Sequence, residues 1–149
     1  MKRKLTPEAV YPYVIGCASG VLFVWKVALP VQWSAESLSQ FFGAVLNVSA
    51  IGAGFLGTAL SVLYSIENKP VVQDLIAAGA WGQMLRYTMA AIRWSFALAV
   101  LSAVGLFVVD KIRPDHYSAA LGVWSFVVFI AALLCVRVIH LFSRILAAK

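Results

Sequence analysis

The chain has 149 residues, of which 62% are hydrophobic and 12% charged, and its formal net charge is +6. A soluble domain carries about 45–50% apolar and about a quarter charged residues, and a chain this short keeps too much surface to hide the excess. Composition therefore excludes an ordinary water-soluble domain and points to lipid as the solvent.

Taken in chain order, the first feature is the basic "MKRK" at residues 1–4, followed by an apolar run. A secretory signal would need an unbroken apolar core. Pro7, Glu8 and Pro12 interrupt it, and the apolar run continues past Cys17, so an uncleaved first span is expected over residues 11–29. Pro30 ends it, and Ser34 is a candidate N-cap for the second span, residues 41–66. The stretch "ENKP" closes that span. Val71, Val72, Leu75 and Ile76 then share a helical stripe, which predicts a short amphipathic helix over residues 70–78, capped by Asn68 and ended by Gly79. Trp81 and Tyr87 are expected as interfacial anchors. The third span is expected over residues 89–109 and the fourth over 117–141, separated by "DKIRPDH", where Pro114 opposes helical continuation. Each stretch approaches the ~20 residues needed to cross ~30 Å of hydrocarbon. The expected fold class is all-α: a single integral membrane domain, residues 1–149, built as a four-helix bundle.

With four spans, both termini lie on one side. That side would hold Lys2, Arg3, Lys4, Lys69, Arg86, Arg93, Arg137, Arg144 and Lys149, and the other would hold Lys26, Lys111 and Arg113. The six acids divide evenly, so the whole net charge belongs to one face. The excess of Lys and Arg places both termini in the cytoplasm of a bacterial inner membrane. Anionic lipid of the inner leaflet is a sufficient partner for that charge, and no direct contact with nucleic acid is implied.

One stretch, "GAGFLG" from Gly52 to Gly57, fits the G-x-G-x-x-G pattern of a dinucleotide-binding turn. That turn needs a strand before it and a βαβ unit around it. Here it lies mid-span, where only a helix is tolerated. On a helix, Ser49, Ala53, Gly57 and Ser61 form one row of small residues, and Ala50, Gly54 and Thr58 form a second. The expectation is a helix-packing face, toward another span or another copy.

Candidate chemistry is sparse. Arg86 and Arg93 share a face at the inner end of span three, and Arg137, His140 and Arg144 share one at the inner end of span four. Arginine forks suit carboxylates or phosphates, so this belt can face acidic lipid, a phosphate-bearing ligand or an acidic patch on a cytosolic protein. Glu67 or Asp74 can also neutralise Arg86 or Arg93 internally. Lys26 reads as a snorkelling lysine. Asn47, with Ser49 and Thr58, either bonds across helices or lines a narrow pore. His116 and His140 fall at opposite membrane faces, which leaves no basis for a metal or haem site. Cys17 and Cys135 form no C-x-x-C pair. No catalytic residues and no cofactor are expected.

Several four-span families fail on residues. The glutathione-using MAPEG enzymes need Arg and an acid beside Asn in span two. Small multidrug transporters need a buried Glu in span one. Quinone-linked disulfide enzymes need cysteine pairs. Fluoride channels carry an Arg-Tyr near their start, which "GQMLRY" echoes only before span three. The basic "MKRK", the four spans, the segment "SIENKPVVQDLIAAGAWGQMLRY" and the basic end "RVIHLFSRILAAK" together resemble, in layout, the small four-span membrane subunits of bacterial phage-defence operons of the Kiwa type. The resemblance implies a non-enzymatic, oligomeric membrane subunit that works with a cytosolic protein. It carries over no site residues. A homo-oligomeric channel for ions or small solutes is the alternative, and a small membrane enzyme acting on lipids is the third.

Overall fold

The computed structural model describes residues 7–28, 33–111 and 116–147. The expected stop at Pro30 and the break at Pro114 lie outside them. The described chain is all-helical, with α1 over Pro7–Phe23 running into a π-helical turn, Val24–Ala28. Helix α2 spans Ala35–Ser65, α3 Pro70–Ala77, α4 Ala80–Val108 with a 3₁₀ turn at Val109–Lys111, and α5 Tyr117–Ala147. Three of these are long and apolar enough to cross a membrane: Ala35–Ser65, Ala80–Lys111 and Tyr117–Ser143. The apolar helix of the first segment, Tyr13–Lys26, is shorter.

Local chemistry sets the ends. The Ser37 N–H donates to Ser34 Oγ at 3.1 Å, so Ser34 caps α2 as its residue type predicts, and Glu36 sits favourably in the first turn. Helix α3 starts from Lys69 rather than the expected Asn68 and has no side-chain cap, and Pro70 occupies its first turn. Gly79 adopts φ 69°, the left-handed turn that glycine takes without steric cost, and this reverses the chain into α4.

Helix α4 begins nine residues before the expected Met89. Residues 80–88 contain no proline, and Trp81, Met84 and Thr88 already fall on the buried face that continues through Ala91 and Ser95. Packing extends the helix beyond the apolar window that hydropathy detects. Trp81, expected as an interfacial anchor, is instead buried with Leu63, Val72 and Met84 where α3 folds over α2 and α4.

The helices pack in the order α2, α4, α5, α1, with α3 against the start of α4. Among the described residues, α1 and α2 have no Cα atoms within 8 Å of each other. The most extensive seam joins α2 and α4. Helix α2 buries Leu38, Phe42, Ser49, Leu56 and Leu63, and α4 buries a run of small residues, Thr88, Ala91, Ser95, Ala99 and Ser102, of which Ser95 and Ser102 meet Cys135 and Trp124 of α5. A Cβ added at Gly105 of α4 would lie 3.0 Å from the Phe42 ring. Helix α1 meets α5 through Gly16 and Gly20, a G-x-x-x-G pair, where added Cβ atoms would lie 2.7 Å from Ile130 Cγ1 and 3.3 Å from Phe126 Cα. Small residues let backbones approach closely, which is where packing energy in lipid comes from.

The expected packing row behaves differently. Ser49 is buried, Ala53 and Gly57 are half-buried, and Gly54 and Ser61 are exposed. A Cβ at Gly52, Gly54 or Gly57 would meet nothing within 4 Å. Within one chain, α2 packs on α4 through its larger side chains, and the glycine row has no close neighbour.

Candidate functional site

The site is the end of the bundle that carries α3. Helices α4 and α5 are antiparallel neighbours, so Arg86 and Arg93 of α4 stand at the same end as Arg137 and His140 of α5. The structure divides this basic group. Arg137 is half-buried, its guanidinium carbon 3.6 Å from the centroid of the Tyr87 ring and 5.7 Å from that of Tyr11. The Tyr87 hydroxyl accepts a 2.7 Å hydrogen bond from Gln83 Nε2, which fixes the ring under the cation. Arg137 therefore ties α1, α4 and α5 together by cation–π attraction. About two helical turns further along α4, Tyr13 packs on Trp94 with centroids 6.0 Å apart and a tilted geometry.

Arg86, Arg93 and His140 are exposed. Arg86 and Arg93, one heptad apart, lie on the outer face of α4. The side chain of Arg144 lies outside the described residues. No described basic side chain comes within 4.0 Å of a described carboxylate. Glu67 and Asp74 are exposed and leave Arg86 and Arg93 unneutralised.

The three candidate pore residues do not share a face. Ser49 is buried, and its hydroxyl donates to Val45 O at 2.6 Å. Asn47 and Thr58 are exposed on the opposite side of α2, and the Thr58 hydroxyl donates to Gly54 O at 3.0 Å. Both lie outside the interior of a single chain. Among the described residues, the polar side-chain groups that enter the interior are paired except the Trp33 indole, whose buried Nε1 has no hydrogen-bond partner. The Trp124 indole donates to Ser102 Oγ at 3.0 Å, and Ser95 Oγ lies 3.5 Å from Cys135 Sγ. Cys17 is exposed. Among the described residues no cluster of three or more His, Cys, Asp or Glu forms.

Sequence reasoning missed the tyrosine pair around Arg137 and the glycine pair of α1. The second was visible as "GCASG", Gly16–Gly20, and was overshadowed by the denser run in α2. The first needed the register of three helices.

These features define a class: an all-helical protein with three helices suited by length and composition to a lipid bilayer. Comparison with family models, curated proteins and solved structures yields no match.

Proposed function

We propose that the chain is a non-enzymatic subunit of the bacterial inner membrane that presents a basic cytoplasmic face to an acidic surface of a cytosolic protein. In this reading it spans the membrane four times, with α1 and its π turn as the first span and both termini inside. The observation that carries it is the division among the arginines. Arg137 is used internally, whereas Arg86, near the α3 end, and Arg93, about two turns further along the same face of α4, are exposed with no described carboxylate beside them. An exposed arginine pair with no internal role is free to bind carboxylates or phosphates in its bidentate mode.

Assembly into a homo-oligomer belongs to the same proposal. The outer face of α2 presents Asn47, Gly54, Thr58 and Ser61, a small and polar surface that α4 leaves uncovered. Layout adds a role in phage defence as the concrete setting.

The test is a mild pull-down of the full chain from native membranes. The Arg86→Glu, Arg93→Glu double variant should lose the cytosolic protein that the wild type retains at low salt, while keeping its helix content. Retention of the same protein by the variant, or its absence from the wild-type pull-down, overturns the proposal.

A further inference from the structure

A cavity of about 740 Å³ lies between α3, the last turns of α2 and the first turns of α4. Its floor is Leu63, Val72, Trp81 and Met84, all buried. Its outer wall is Val62 of α2 and Ile66, the residue that caps that helix. The volume falls within the ~300–1,000 Å³ of small-molecule sites. Ordered water suits it poorly, since water needs two to four polar partners. Left empty, the floor side chains would lose dispersion contacts on one side.

Among the described residues lining the cavity, Lys69 is the one that is ionisable. It is exposed at the mouth and also stands at the N-cap of α3, whose first turn has no side-chain cap. The ammonium and the positive end of the helix therefore add at one point. Glu67 and Asp74, the acids of this segment, line no part of the cavity. The site thus joins a cationic mouth to an apolar interior, and it lies beneath an amphipathic helix of the kind that settles between headgroups and acyl chains.

We propose that this cavity holds one acyl chain of an anionic phospholipid of the inner leaflet, with the headgroup phosphate against Lys69 and the start of α3. The inference rests on the α3 end lying at the inner membrane surface. It does not depend on a cytosolic partner, so loss of one reading leaves the other standing.

The probe is native mass spectrometry of the full chain released from nanodiscs made of equal parts phosphatidylglycerol and phosphatidylcholine of the same acyl composition. One phosphatidylglycerol per protomer should survive activation that strips phosphatidylcholine. Lys69→Gln should lower the retained ratio of the two lipids about fivefold, the effect of one lysine near an anionic surface. Ala59→Phe, which fills the cavity from α2, should remove the retained lipid. Ala59→Leu, a smaller intrusion from the same position, should do the same should Ala59→Phe lose its helix content by circular dichroism. Equal retention of both lipids overturns the proposal. So does a phosphatidylglycerol preference that survives Lys69→Gln, or one that survives the cavity-filling variants, since the headgroup would then be held by the general basic face. Displacement of the phospholipid by palmitate alone at equal mole ratio assigns the cavity to a free fatty acid and also overturns it.

Discussion

At the scale of single residues, Arg137 and Ser102 show two ways in which a polar group earns a place in an apolar bundle. Arg137 lies over Tyr87 at 3.6 Å and reaches Tyr11 of a third helix. Cation–π contacts contribute about 0.5–2 kcal/mol depending on desolvation, and Arg137 is half-buried. Arg137→Ala should therefore lower the unfolding free energy by about 1 kcal/mol in a mixed-micelle titration. Arg137→Lys should recover part of that, because the charge remains but the flat guanidinium is lost. No change in the alanine variant would mean that the stack contributes nothing. Ser102 accepts the indole proton of Trp124, which is 4% exposed. Orphaning a buried donor costs about 1–3 kcal/mol in water-soluble proteins, but hydrogen bonds between membrane helices average about 0.6 kcal/mol because the unfolded segment finds other partners. Ser102→Ala should accordingly cost about 1 kcal/mol and shift the tryptophan emission. A cost near 3 kcal/mol would show that Trp124 has no alternative partner.

At the scale of elements, the glycines of α1 and α4 and those of α2 predict opposite outcomes for the same kind of change. Gly105→Ala places a Cβ 3.0 Å from the Phe42 ring, which itself packs on Trp124 at 5.5 Å between centroids. That ring has little room to move, and overpacking of this kind costs about 1–3 kcal/mol. Gly54→Ala meets nothing within 4 Å and removes a helix-weakening glycine, a gain of up to about 1 kcal/mol. Thermal unfolding in one detergent should rank the variants Gly54→Ala, wild type, Gly105→Ala in decreasing stability. The reverse order would mean that α2 packs through its glycine row after all. Because Gly54 is free of neighbours in the chain, Gly54→Leu should leave the monomer folded and reduce only the homo-oligomer seen by cross-linking in membranes. Unchanged cross-linking would remove this face from the assembly.

At the scale of the whole molecule, the helices form a row, α2–α4–α5–α1, rather than a closed ring of four. Helices α4 and α5 are the inner pair, and the small residues that α4 buries let its neighbours approach closely. The outer helices α1 and α2 leave wide apolar surfaces, including Val21, Trp25, Val48, Ile51 and Phe55, each well over half exposed. Such surfaces suit lipid tails or another copy, and in water they would drive aggregation. The charge asymmetry predicts topology in the same frame. A single cysteine placed at Gln73, in a Cys17→Ser, Cys135→Ser background, should react with a membrane-impermeant maleimide only in inverted vesicles. One placed at His116 should react only from the outer side of intact cells. The opposite pattern would invert the chain and remove the cytoplasmic partner with it.

Much of this was legible in the sequence because it depends on periodicity and composition alone. Lipid-length apolar windows require helices, since backbone groups must bond within their own segment. The Ser34 cap, the amphipathic α3 and the turn at Gly79 follow from residue types at fixed offsets. Hydropathy marks the apolar window and not the helix extent: α4 runs back to Ala80, where Trp81, Met84 and Thr88 find neighbours, and contact with a partner helix is invisible in a window average. The choice of which small residues touch also lay beyond the sequence. "GAGFLG" and "GCASG" look equally ready to pack, yet only Gly16 and Gly20 have a helix against them. The sequence by itself determined that the chain is helical, apolar and asymmetrically charged. Only the tertiary structure decided which arginine is spent on Tyr11 and Tyr87, which remain exposed, and that a cavity opens beneath α3, because each depends on distances between segments far apart in the chain.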